Sequence, residues 1–308
     1  MSEAVGVAAA DDAIVATPKP KQKRRRRRYH AGEVFAAYAC LAPSAVIFAV
    51  FMYYPLYRLF VEATHQSNSF GTKSRYVGFG NIGDVLTGSD FMSGLGHTLL
   101  YVVYTVPAGL ILGILLAVAA HRRLRGIKIY QTIFSSTVAT SVAVTSVIFL
   151  TLINPSTGVL KIDILNNPDW ALFGVSWSSI WQNIGLSFLI VLAGLQAIPE
   201  ELLEAATLDG YGPVRRFFKV TLPLLSPVLL FLVVVLVVFA LQSYAQVDIL
   251  TQGGPAGATE TLVYKITQNQ SPRLMSTGAA MSIGLFVVTV IITAAQFGLL
   301  SRRVNYDK

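Results

Sequence analysis

The sequence predicts an all-α, polytopic membrane protein of six transmembrane helices, and three observations carry that reading. Charged residues make up 13% of the 308, against about 25% in an average soluble chain, and the mean hydropathy is +0.59. The apolar residues are gathered into uncharged runs long enough to cross a bilayer, which takes about 20 residues each. No short alternating segments of the β-barrel kind occur. Each run must then be helical, because unpaired backbone groups in hydrocarbon cost several kcal/mol each.

Residues 1–30 show no hydrophobic periodicity and end in a basic block, Lys19, Lys21, Lys23 and Arg24 to Arg28. They are expected to form a disordered cytoplasmic tail ahead of a six-helix transmembrane domain at 31–308. The first run, 34–57, exceeds a signal h-region and lacks a small-residue cleavage pattern, so it reads as an uncleaved first span. Five more follow at 98–120, 129–153, 170–198, 224–247 and 274–300. The fourth and sixth are longer than a bilayer needs, so parts of them tilt or lie in the interface.

Lys and Arg counts orient these spans. With the N-terminus inside, 18 basic residues fall in the inside segments and six outside (Arg58, Lys73, Arg75, Lys161, Lys265, Arg273). Both termini are therefore expected in the cytoplasm. The basic block reads as a topology determinant with affinity for anionic lipid, not as a nucleic-acid surface, since no aromatic-interleaved basic stretch follows it. The sole cysteine, Cys40, excludes an intrachain disulfide, and the four histidines lack metal spacing.

Between the fourth and fifth spans lies a polar stretch, 199–223, PEELLEAATLDGYGPVRRFFKVTLP. Pro199 suits a helix start, and Glu200 and Glu201 fall in the first turn, where the helix dipole favours negative charge. Gly210 is a helix stop, and Gly212-Pro213 redirects the chain. Ala205 and Ala206 leave a low patch beside Glu204 where another protein could come close to the backbone, flanked by Glu204 and Asp209. From residue 214 to 220, the stretch pairs Phe217 and Phe218 with Arg215, Arg216 and Lys219, which suits a helix lying in the interface. The plain alternative is an ordinary basic loop between spans.

Glu204-Ala205-Ala206, three residues, Gly210, nine residues, Val220, one residue, then Leu222-Pro223 resembles the EAA signature of ABC importer permeases. The one departure is Val220, where isoleucine is usual. The resemblance implies a type I ABC importer permease fold, with a coupling helix near 199–212 docking in a groove of the ATPase. Glu204, Ala205, Ala206, Asp209, Gly210, Leu222 and Pro223 would then be the ATPase-coupling residues.

No GxxxxGK[ST] pattern, HExxH or nucleophile–base constellation occurs, so no catalytic, metal or nucleotide site is expected in this chain. An ion-coupled carrier would keep ionisable groups within its spans, and the six runs hold no Asp, Glu, Lys or Arg. Polar uncharged residues do enter them. The third holds Ser135, Ser136, Thr137, Thr140, Ser141, Thr145 and Ser146, read mainly as helix packing. The fourth holds Gln182, Asn183, Ser187 and Gln196; the fifth ends in Gln242, Ser243, Tyr244 and Gln246. Asn183, Gln242 and Tyr244 are the candidate solute path, because a hydroxylated solute needs hydrogen-bonding walls in an apolar passage.

Pro43, Tyr53-Tyr54-Pro55 and Thr251-Gln252-Gly253-Gly254-Pro255 resemble carbohydrate-type permeases of that family. GPVRRFFKVTLPLLSP (212–227), GGPAGATETLVYKI (253–266) and QFGLLSRRVNY (296–306) are similar to the first permease subunit of glycerol-3-phosphate and glycerophosphodiester importers. The resemblance implies a bacterial inner-membrane location and a heterodimer with a second EAA-type permease. It further implies two ATPase subunits that bind ATP and Mg, and an extracytoplasmic solute-binding protein. A maltose-, trehalose- or polyol-type permease stays open as an alternative. The outer segments carry seven acids against six bases, so no positive funnel attracts a phosphate.

Overall fold

The computed structural model describes residues 31–67, 74–121, 126–271 and 274–300. The expectations placed on residues 1–30, on Lys73, Arg122, Arg123, Arg125 and Arg273, and on 301–308 lie outside the described residues. The chain divides into two compact units, Met1–Tyr54 and Pro55–Lys308.

The first unit contributes helix α1 (Ala31–Phe48), with Pro43 inside it, and a π-helical turn, Ala49–Tyr53. Its described side chains are exposed, Phe51 by 77% and Phe48 by 57%. An apolar surface of that kind suits lipid or a second membrane subunit, not water.

Helix α2 (Tyr54–Thr64) starts on the last residue of the first unit, and its remainder, in the second, carries helix past the expected limit of residue 57. The extension is polar on one side, where Arg58 and Glu62 pair at 3.2 Å one turn apart. A two-stranded hairpin, β1 (His65–Ser67) with β2 (Ser74–Tyr76), and helix α3 (Gly80–Thr87) follow. The Asn81 amide donates to the Ala63 carbonyl and to Ser276 Oγ, both at 2.8 Å, and joins this region to the last helix.

Helix α4 (Ser89–Ala120) starts nine residues before the expected 98, with Asp90 in its first turn. It packs along α7 (Ala171–Gln196), and this pair organises the buried core. Lipid-like surroundings give apolar helices no hydrophobic reason to associate, so close backbone approach must supply the contact. Gly109 and Gly113 provide it, four residues apart on one face: a Cβ on either would overlap the Cβ of Asn183 or Ser187. Ala117 continues the row and is fully buried.

The third expected span, 129–153, is not one straight helix. Helix α5 (Ile127–Ser136) and the 3-10 turn Thr137–Ala139 meet α6 (Val142–Ile153) at 103°. The reason is local: the Ser141 side chain accepts from the Val144 N–H at 3.3 Å, which restarts the helix as an N-cap does.

The fifth span departs from 224–247 at both ends. After α8 (Glu200–Leu208), helix α9 (Pro213–Arg216), a π-helical turn Phe217–Thr221 and α10 (Leu222–Leu224) form an arm bent by 71° from α11 (Ser226–Leu241). Pro223 has no N–H and crowds the preceding turn, and there the ladder widens, Leu222 N–H bonding to the Phe217 carbonyl. Helix α11 ends at Leu241; residues 242–244 are a break before α12 (Ala245–Leu250). A loop, α13 (Leu262–Gln268) and α14 (Met275–Leu300) complete the order, the last matching the expected 274–300.

Among the described residues, four single helices are long and apolar enough to cross a membrane, and the two bent pairs raise that to six. The all-α, six-span class expected from the sequence is the observed one.

Candidate functional site

Two features separate at the two ends of α11. At one end, the break 242–244 opens onto a cavity of about 700 Å³. All three residues expected on a solute path line it: Asn183 from α7, Gln242 and Tyr244 from the break. The break is what aims the last two, because helical geometry would spread residues 242 and 244 over about 200°. Tyr244 stacks on Tyr264 with ring centroids 6.2 Å apart.

The cavity also takes residues that sequence reasoning assigned elsewhere or passed over. Thr137, Thr140 and Ser141, read as packing groups, line it at the bend of the third span. Thr145 and Ser146 are buried, as the packing reading had them. Tyr101, Thr105 and Ser179 line it without having been singled out. Only the relative rotation of α4 and α7, set by Gly109 and Gly113, brings Tyr101 and Ser179 to that wall; the G-x-x-x-G spacing in α4 was the available signal.

The polar wall is internally bonded. Tyr101 and Ser179 share a hydroxyl hydrogen bond at 2.5 Å, and the Gln246 amide donates to Ser179 Oγ at 2.9 Å. Ser243 Oγ donates to Gln246 Oε1 at 3.0 Å, and the Gln182 amide donates to the Thr140 carbonyl at 3.1 Å. Every lining side chain is uncharged. Such a surface offers neutral donors and acceptors but no fixed charge to hold an ion.

The loop beyond α12 carries the Gly253-Gly254-Pro255 sequence. Gln252 and Ala256 lie at positive φ, as do Gly253 and Gly257. Thr259 Oγ1 donates to the Gly254 carbonyl at 2.9 Å, and Tyr264 donates to the Gln252 carbonyl at 2.7 Å. Burial, with Asp248 and Glu260 nearby, raises the Tyr264 phenol above its ordinary range, so it remains a donor. Lys265 bridges Glu260 at 3.0 Å and Asp90 of α4 at 3.4 Å.

At the other end of α11, α8 lies against the arm 213–224. Glu200 and Glu201 occupy its first turn. Its C-terminus is a Schellman closure: Tyr211 N–H bonds to the Ala206 carbonyl at 3.1 Å and Gly210 N–H to Thr207 at 3.0 Å, with Gly210 at φ +77°. The Arg216 guanidinium donates to Thr207 Oγ1 at 2.9 Å, and Arg215 sits 4.7 Å over the Tyr211 ring. Glu204, Ala205, Asp209 and Gly210 are exposed, beside Leu202 and an 89% exposed Leu208.

The other motif residues sit differently. Ala206 is buried, so the low patch is open at Ala205 but closed at Ala206. Leu222 and Pro223 are half-buried in the arm near its bend. Leu202 and Leu208 were not singled out from the sequence; their exposure beside a carboxylate cluster is visible only once the helix face is known.

Residues 109–306 match the family model described as "Binding-protein-dependent transport system inner membrane component". The sn-glycerol-3-phosphate transport system permease protein UgpA of Agrobacterium fabrum is 35% identical over 280 residues, covering 87% of this chain and 96% of that protein. Its counterpart in Rhizobium meliloti matches to the same extent. The structure of a bacterial alginate ABC transporter, in complex with an alginate pentasaccharide-bound periplasmic protein, superposes with a TM-score of 0.75 and 22% identity. That match covers 88% of this chain and 96% of the other. The fold thus recurs in a solved ABC transporter, and the sequence match runs through most of the chain: it belongs to the binding-protein-dependent transport system inner membrane components, the permeases of ABC importers.

Proposed function

We propose that this permease passes glycerol-3-phosphate, or a glycerophosphodiester such as glycerophosphocholine, through the cavity bounded by Asn183, Gln242 and Tyr244. The observation that carries the reading is the convergence of these three side chains, with the bonded hydroxyl and amide wall, on one uncharged cavity. Neutral N–H and O–H donors can accompany a phosphate without trapping it. The solute class comes from the likeness to the two UgpA proteins, whose name states sn-glycerol-3-phosphate. A second reading, a sugar or sugar alcohol, is favoured by the absence of any cation among the lining side chains.

In this reading α8 docks on a separate ATPase. Glu204, Asp209 and Gly210 present its exposed face, and Ala205 allows close approach. Ala206, Leu222 and Pro223 act from behind by fixing α8 to the arm. Two such ATPase subunits bind ATP and Mg, and this chain itself binds no cofactor. A second EAA-type permease completes the passage, and an extracytoplasmic protein delivers the solute. The protein lies in a bacterial inner membrane with residues 1–30 as a basic cytoplasmic tail, residues 31–308 as the membrane domain and both termini cytoplasmic. ATPase closure then draws the coupling helices together and rocks the spans about the cavity.

The test is ATP hydrolysis by the assembled transporter with its binding protein in proteoliposomes. Stimulation by glycerophosphocholine or glycerol-3-phosphate, with little by maltose or trehalose, is expected. Stimulation by a disaccharide alone moves the solute to the sugar class.

A further inference from the structure

The hydroxyl of Thr261 has been released from its local duty. Thr261 stands at the N-cap of α13, where a threonine oxygen ordinarily accepts from the helix's own first N–H groups. It makes no such bond. The Leu262 N–H, which an N-cap side chain does not reach, is satisfied by Thr98 Oγ1 of α4, at 2.8 Å. Thr261 Oγ1 donates at 3.1 Å to the carbonyl of Ser243, 18 residues earlier. Both threonines are buried, by all but 1% for Thr261 and completely for Thr98.

The acceptor is the centre of the break that carries Gln242 and Tyr244. In that break Tyr244 adopts φ −130°, ψ −59° and Gln242 φ −99°, ψ 13°, outside helical geometry. Broken backbone at membrane depth is tolerated only where its freed polar groups find other partners. The Ser243 carbonyl finds Thr261, and its hydroxyl finds Gln246. Residue 243 is thus held from both its main chain and its side chain, while its two neighbours face the cavity.

We infer that Thr261 is a positioning residue for the solute path: through the Ser243 carbonyl it holds the break 242–244 so that Gln242 and Tyr244 face the cavity. The inference rests on the reading of that cavity as the solute path. Thr261 does not line the cavity, so it acts through its neighbours and not on the solute. It also ties the loop 251–261 to the cavity wall, so a displacement of that loop would re-aim both side chains.

The experiment uses the complete transporter in proteoliposomes. Thr261→Val keeps the shape and removes the donor; Thr261→Ser keeps the donor. Loss of one buried hydrogen bond sets the scale, so uptake with Val should fall roughly fivefold and recover with Ser. A direct readout follows residue 242: in a Cys40→Ala background bearing Gln242→Cys, Thr261→Val should change the rate of thiol labelling roughly fivefold. Thr261→Ser should leave it unchanged. Unaltered labelling with Val, or equal effects of Val and Ser, overturns the positioning role. If Gln242→Leu and Tyr244→Phe leave uptake unaffected while labelling responds to Thr261→Val, the positioning stands and the solute-path reading fails.

Discussion

Gly109 of α4 meets Asn183 of α7 so closely that a Cβ on the glycine would overlap the asparagine's own Cβ. Asn183 is buried and lines the cavity, so this contact sets how far its amide reaches into the passage. A side chain at 109 must push the two helices apart. Gly109→Leu should cost about 1–3 kcal/mol through overpacking. Thermal unfolding in detergent measures it, with Gly96→Ala on the same helix as control, since nothing lies within 4 Å of a Cβ there. Equal stability of the two variants would contradict the packing assigned to α4 and α7.

Gly210 closes α8 at φ +77°, a conformation proline cannot adopt, and its N–H bonds to Thr207. Gly210→Pro should undo the Schellman closure and lower uptake about tenfold or more. Glu204→Lys reverses a charge on the exposed face and should weaken co-purification of the ATPase by about as much. The protein should still insert in both cases. Ordinary uptake with both substitutions removes α8 from the coupling role.

Asp209 and Ala256 are both exposed and belong to opposite ends of α11. In a Cys40→Ala background, Asp209→Cys should react with an impermeant thiol reagent only from the cytoplasm. Ala256→Cys should react only from outside. Reaction of both from one side would refute the six-span orientation.

Gln242 and Tyr244 present an amide and a phenol to the cavity, while the backbone between them is anchored elsewhere. Gln242→Leu and Tyr244→Phe remove one polar group each at nearly constant volume. Each should lower solute uptake roughly tenfold, the scale of leaving one polar group unpaired. Co-purification of the ATPase should persist, because α8 is not touched. Full uptake in the double variant would place the passage elsewhere.

The sequence by itself determined how many spans there are, the boundaries of the sixth and the position of α8. Each rests on a local cause. Uncharged runs force helix in hydrocarbon, and Pro199 with Gly210 brackets a nine-residue helix. Asn183, Gln242 and Tyr244 could be nominated because polar groups in an apolar run need a purpose. Tertiary structure decided where the spans break. Thr137 to Ser141 and residues 242–244 read as parts of continuous spans; Ser141 caps the new helix locally, but nothing near residue 243 shows that Thr261, 18 residues on, takes its carbonyl. It also decided which polar residues share a wall. Tyr101, Ser179 and Gln246 come from three helices, and their hydrogen bonds exist only after Gly109 and Gly113 fix the rotation of α4 against α7. Contacts between residues 78 and 67 positions apart along the chain leave no periodic mark in the sequence, because only packing selects the partner.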